Sequence, residues 1–171
     1  DVEQLQTCLE INLAYLLELS ACRLLPMDFT GILEDVEVQL KRLAQLSVDG
    51  LEREIKLAGE AAGLWKDFQV RFGKEETAEI YNSVVLWMSR ELMPMICSVS
   101  GKFGQDDYGL PELSQFMPGI TSLWNELAAM EKGGDAYKWN YTRAYREKNK
   151  VWEVLNRLCG RLRLQMKLYI K

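Results

Sequence analysis

Apolar residues recur every three or four positions along nearly the whole chain, while strict alternation bounded by hairpin turns is hard to find. That period is helical. A first helix is predicted over about Val2 to Leu25, with Leu5, Leu9, Leu13 and Leu16 on one side. Pro26 stops it, because proline has no amide to donate and disfavours a helical residue before it. A second helix, from about Thr30 to Leu46, carries Leu33, Val36, Leu40 and Leu43. The segment SVDG then separates it from, or kinks it into, a third with Leu51, Ile55, Ala58, Ala62, Trp65 and Phe72 inward. Gly73 is placed to cap that helix.

A fourth helix starts near Glu75, where acidic residues suit the positive end of the helix dipole, and turns Tyr81, Val84, Met88 and Leu92 inward. Pro94 is expected to kink or end it; a resumed helix would add Met95, Ile96 and Val99 to the apolar face. SGKFGQDDYGLPE is then the longest irregular connection, and three glycines with few large apolar residues make it the segment expected to open most readily. After a short turn at Glu112 to Phe116, Pro118 opens a fifth helix through Ile120, Leu123, Trp124 and Leu127, which KGGD ends.

Asp135 is positioned to cap the last helix, which can run to the C-terminus over about 35 residues, or roughly 50 Å. Tyr137, Tyr141, Ala144, Val151, Leu155, Leu158, Leu162, Met166 and Tyr169 keep a three-four spacing throughout it, so one side must be buried. The expected fold is all-α: a bundle or irregular array of five or six helices organised around this long C-terminal helix. Length and composition fit one domain over residues 1–171, with 48% hydrophobic and 27% charged residues and enough aromatics to exclude a mainly disordered chain. No apolar run is long enough to span a bilayer, and the N-terminal DVEQLQTCLE lacks a signal-peptide pattern.

Charge divides the chain unevenly. Residues 134–171 hold ten Lys or Arg against three acids, so this segment is +7 while the remainder is −11. At about 100° per residue, Arg143, Arg146, Lys150, Arg157 and Arg161 fall within about 60° of one another, nearly opposite the apolar stripe. Trp139 projects onto the same side and is expected to be exposed or at an interface. These six residues are the candidate polyanion- or partner-binding site. Three readings compete: a ridge that follows a phosphate backbone, the ordinary solvated face of an amphipathic helix, or cations neutralised internally by the acidic body; the overall pI of about 5.1 weighs against the first.

Chemistry is conspicuous by its absence. With no histidine, the common general base and the commonest metal ligand are missing. Cys8, Cys22, Cys97 and Cys159 have no CxxC spacing and are expected to be small buried residues of helices in a reducing compartment. Asp106 and Asp107, the most visible acidic pair, stand in a Gly-rich segment and are expected to be hydrated turn residues. No catalytic, cofactor or metal-ligating residue is therefore assigned.

SLWNEL followed by YKWNYTRAYREKNKVWEVL resembles the Trp-Glu and Lys-Trp elements, with a basic following helix, of the C-terminal DNA-binding module in fungal glycolytic-gene activators. The resemblance covers about a quarter of the chain, and the interval from Trp124 to Trp139 is shorter than that family's. It implies contact between the basic helix and DNA and carries over no individual site residue. The functional expectation is a non-enzymatic, intracellular protein-interaction or scaffold domain, with another protein as its partner; a DNA- or RNA-binding domain is the alternative, and a homo-oligomer is open.

Overall fold

The computed structural model describes residues 2–46, 50–100, 103–107 and 109–169; most of the SVDG connection and three residues of the long loop, Gly101, Lys102 and Tyr108, lie outside this set. Six α-helices follow in order: α1 (Val2–Ala21), α2 (Thr30–Ala44), α3 (Glu52–Phe72), α4 (Ala78–Cys97), α5 (Pro118–Ala129) and α6 (Asp135–Leu168). Short 3-10 turns precede α4 at Glu75–Thr77 and α5 at Pro111–Ser114. The chain is all-α, and its 34-residue last helix organises the rest.

α6 packs against α3, α4 and α5, and α2 lies on α3. The three-four stripes meet there. Leu33, Val36, Leu40 and Leu43 of α2 join Ala58, Trp65 and Phe68 of α3, Val84, Met88 and Leu92 of α4, Trp124 of α5 and Leu155, Leu158 and Leu162 of α6 in one buried cluster. Trp65 sits at an aromatic junction, with ring centroids of Phe29, Phe68 and Tyr81 at 5.4, 5.7 and 5.9 Å.

A polar knot anchors this junction. One carboxylate oxygen of Asp28 accepts from the Trp65 indole N–H at 3.0 Å, the Thr30 amide at 2.8 Å, the Thr30 hydroxyl at 2.6 Å and the Gln69 amide at 3.0 Å. Burial acts to raise the Asp28 pKa, but the hydrogen bonds together outweigh it and hold the group at about 2. The first turn of α2 is thus fastened to α3. Glu54, only 2% exposed in the first turn of α3, behaves oppositely: burial pushes its pKa up against the pull of its own amide, Lys148 and Arg53. A carboxyl raised in this way costs stability as pH climbs through its folded pKa.

Several local expectations are corrected. α1 ends at Ala21 rather than Leu25, because Asn82 of α4 takes over the backbone beyond it: its carbonyl accepts from the Leu25 amide at 2.9 Å and its own amide donates to the Arg23 carbonyl at 2.9 Å. α2 closes two residues early, with the Gln45 and Leu46 amides donating three residues back to Arg42 and Leu43. Pro94 does not end α4, which continues to Cys97 although Val99 falls outside it. A proline in the last turn removes one helical hydrogen bond, and burial of Leu92 and Ile96 on either side holds the turn in place. Asp135 is the first residue of α6, paired with Lys138 at 3.2 Å; the cap itself is Gly134.

The cysteines are corrected too. Only Cys159 is buried, where desolvation pushes its thiol up to about 11; Cys8, Cys22 and Cys97 are exposed, and Cys22 lies past the end of α1. Asp106 is more than a hydrated turn residue, since it accepts the amides of Val99 at 3.1 Å and Ser100 at 2.7 Å and so clamps the base of its loop. Gly73 does cap α3: its amide reaches the Gln69 carbonyl at 2.8 Å, and a Cβ there would come within 2.6 Å of that oxygen.

Candidate interaction surfaces

α6 carries the sequence-predicted site on the side away from its core residues. Trp139, Arg143, Arg146, Lys150, Arg157 and Arg161 are all exposed, Trp139 at 66%. They form one ridge, but their electrostatic partners differ along it. Arg157 places Nη2 2.8 Å from Glu91 of α4, whose carboxylate is only 5% exposed, and Nη1 3.4 Å from Glu153. Lys150 pairs with Glu147 at 2.5 Å, and the Arg161 guanidinium lies over the Trp87 ring at 5.8 Å. Arg143 donates to the neutral Asn140 carbonyl oxygen at 3.3 Å, and Arg146 has no ion pair among the described residues.

The ridge therefore changes character halfway. In its C-terminal half Arg157 and Arg161 are tied to α4 and Lys150 to its own helix, whereas Trp139, Arg143 and Arg146 keep their charge and aromatic surface for solvent. Beside the ridge lie two hollows. One, of about 380 Å³, has apolar walls from Met95, Ile120, Val151 and Val154 beneath Arg157; the other, of about 460 Å³, sets Arg143 and Arg146 opposite Glu112 and Glu126. Glu147 stands between them against the first turn of α5, so close that a Cβ on Gly119 would sit 2.9 Å from its oxygen. A carboxylate there suits the positive end of α5. Away from the ridge, Arg163 bridges to Glu60 of α3.

The sequence did not flag the largest unusual surface. α1 has no buried residue, and Val2, Leu5, Leu9, Ile11, Leu13, Tyr15, Leu16 and Leu17 are 55–80% exposed. The stripe of Leu5, Leu9, Leu13 and Leu16 that the spacing put on one side faces water. A 20-residue helix with no buried residue is marginal in water, since most helical stability in proteins comes from burying an apolar face. Monomeric proteins rarely expose contiguous apolar surface on this scale. Its signal was present in the spacing, but a helical spacing says only that a face is fit for burial.

Other chemistry is sparse. Among the described residues, no group of three or more Cys, Asp or Glu side chains is placed to hold a metal ion, and no helix is long and apolar enough to cross a membrane. Trp65 and Trp124 are fully buried in the core, and Trp152 lies under the Arg53 guanidinium at 4.2 Å, so these rings serve packing. Comparison with family models, curated proteins and solved structures finds no match to this chain.

Proposed function

We propose that this chain is a non-enzymatic protein-interaction domain in which the helical body of α2–α6 presents α1 as a docking helix. One observation carries the reading: eight large apolar side chains on a single helix stand exposed while the body already has its own complete core. Burying one such side chain contributes about 1.5–3 kcal/mol, so a partner helix or groove gains substantially by covering them.

The test separates α1 from the body. In a Leu9→Glu, Leu16→Glu variant, the melting midpoint of the body is expected to stay within about 0.5 kcal/mol of the parent, because neither side chain touches the core. Retention of dilute protein on a phenyl matrix should fall sharply. A large drop in the midpoint would show that α1 packs on the body, and the reading would fail.

A second reading, binding of DNA or RNA, draws on the end of the ridge where Trp139, Arg143 and Arg146 lack acidic partners of their own. Three groups are fewer than the six predicted, and Glu112 and Glu126 line the hollow beside them, which is why this reading comes second. It requires that Arg143→Gln with Arg146→Gln weaken binding to a short single-stranded oligonucleotide and lower the salt slope by about two. Binding that is absent in the parent, or unchanged in the variant, would remove it.

A further inference from the structure

Resting on the reading of α1 as a docking helix, we infer that its partner is α1 of a second copy of this chain. Val2, Leu5, Leu9, Asn12, Leu16 and Leu19 alternate in spacings of three and four, the pattern of a seam between paired helices. The residues flanking that seam, Gln6, Cys8, Leu13, Tyr15 and Ser20, carry no charge. Glu3, Glu10 and Glu18 all lie within about 80° on the opposite side of the helix. Two copies can therefore meet along the seam with no like charges facing each other, although α1 is acidic.

Asn12 gives the pairing a centre. It is the one polar residue in the seam and stands at the midpoint of the helix, and in a parallel pair the two-fold axis brings the two amides together. In the single chain its amide folds back onto the Cys8 carbonyl at 2.7 Å, within its own helix. A lone seam asparagine sets register in paired helices. Area agrees: six of the eight exposed side chains lie on or beside the seam, and with their neighbours they offer about 500 Å² per copy, or about 1,000 Å² for the pair, the lower bound of a specific interface.

Other occupants fit less well. Of the remaining exposed apolar residues of the body, Val38, Val70 and Leu86 stand singly on α2, α3 and α4, and Leu164 and Leu168 make only a one-turn patch at the end of α6, so none offers a face as long as that of α1. An anionic membrane surface is disfavoured by an apolar helix whose charged side is entirely acidic.

Sedimentation equilibrium of the full chain from about 1 to 200 µM tests this. The parent is expected to move from 19.7 kDa to twice that mass, and Leu9→Glu with Leu16→Glu should weaken the association at least about 100-fold with the body's melting midpoint unchanged. A parent that stays monomeric throughout, or an assembly that survives the double substitution, overturns the inference. Binding of an apolar dye then distinguishes the two failures. A monomer whose dye binding is lost in the variant has an open α1 meant for a different partner, leaving the docking reading standing; a monomer that binds no dye has α1 covered by its own body, and both readings fall.

Discussion

Replacing Asp28 with Ala should lower the stability of this protein by about 2–3 kcal/mol, the largest effect expected of any polar substitution in it. The change strips one acceptor from four donors, and two of them, the Trp65 indole and the Gln69 amide, belong to α3 rather than to the helix that Asp28 precedes. The loss therefore frays the start of α2 and leaves the Trp65 N–H without its partner beside the aromatic junction. For a chain of this size the midpoint should fall by about 4–12 °C. Asp28→Asn, which keeps an acceptor oxygen, should cost less.

The pH dependence follows from the same group. Its folded pKa of about 2 lies below the ordinary 3.8, so its contribution is fully present above the unfolded value and is lost as pH falls toward 2. After discounting for the exposure of the carboxylate, about 1–2 kcal/mol should disappear across that window in the parent and be missing from Asp28→Ala at every pH. Urea denaturation between pH 5 and pH 2 measures both. An Ala variant with the parent's midpoint and the parent's acid sensitivity would mean that the knot does not form in solution.

Substitutions along α6 should separate its cations by partner rather than by position. Arg157→Gln is expected to cost about 2 kcal/mol, because it leaves the nearly inaccessible Glu91 carboxylate without the guanidinium 2.8 Å away. The full cost of breaking a buried pair is moderated here by the exposure of Arg157 itself. Arg146→Gln, on the same ridge, should change stability by less than about 0.5 kcal/mol. Adding Glu91→Gln to Arg157→Gln should recover part of the loss, since the buried charge is then gone. Equal midpoints for the Arg146 and Arg157 variants would contradict this division of the ridge.

How far the fold could be read in advance depended on the range of the interaction that decides each feature. The three-four spacing reports which side chains share a helix face, a matter of geometry within one or two turns, and it was enough to find all six helices, the length of α6, the opening of α5 at Pro118 and the alignment of the basic ridge. It also placed Trp65 inside and Trp139 outside, because each side is set by the neighbours at three and four residues. The ends of α1 and α2 were read too far along, since amides near a terminus go to whichever acceptor is closest, and for Leu25 that acceptor is Asn82, 57 residues away.

The candidate sites divide in the same way. Collinearity of Arg143, Arg146, Lys150, Arg157 and Arg161 is a property of one helix, but which of them is neutralised depends on where Glu91 of α4 comes to rest, and no local pattern carries that. The segregation of −11 and +7 suggested general cancellation; among the described residues, packing brings only Arg157 of the five into an ion pair with a body acid. α1 shows the limit most plainly. Its leucines have the spacing of a buried stripe, and in the other five helices such stripes meet one another, yet this one finds no counterpart in the body. Amphipathicity is written within twenty residues, whereas the surface that covers an apolar face is chosen by shape and area across the whole molecule, or by another molecule.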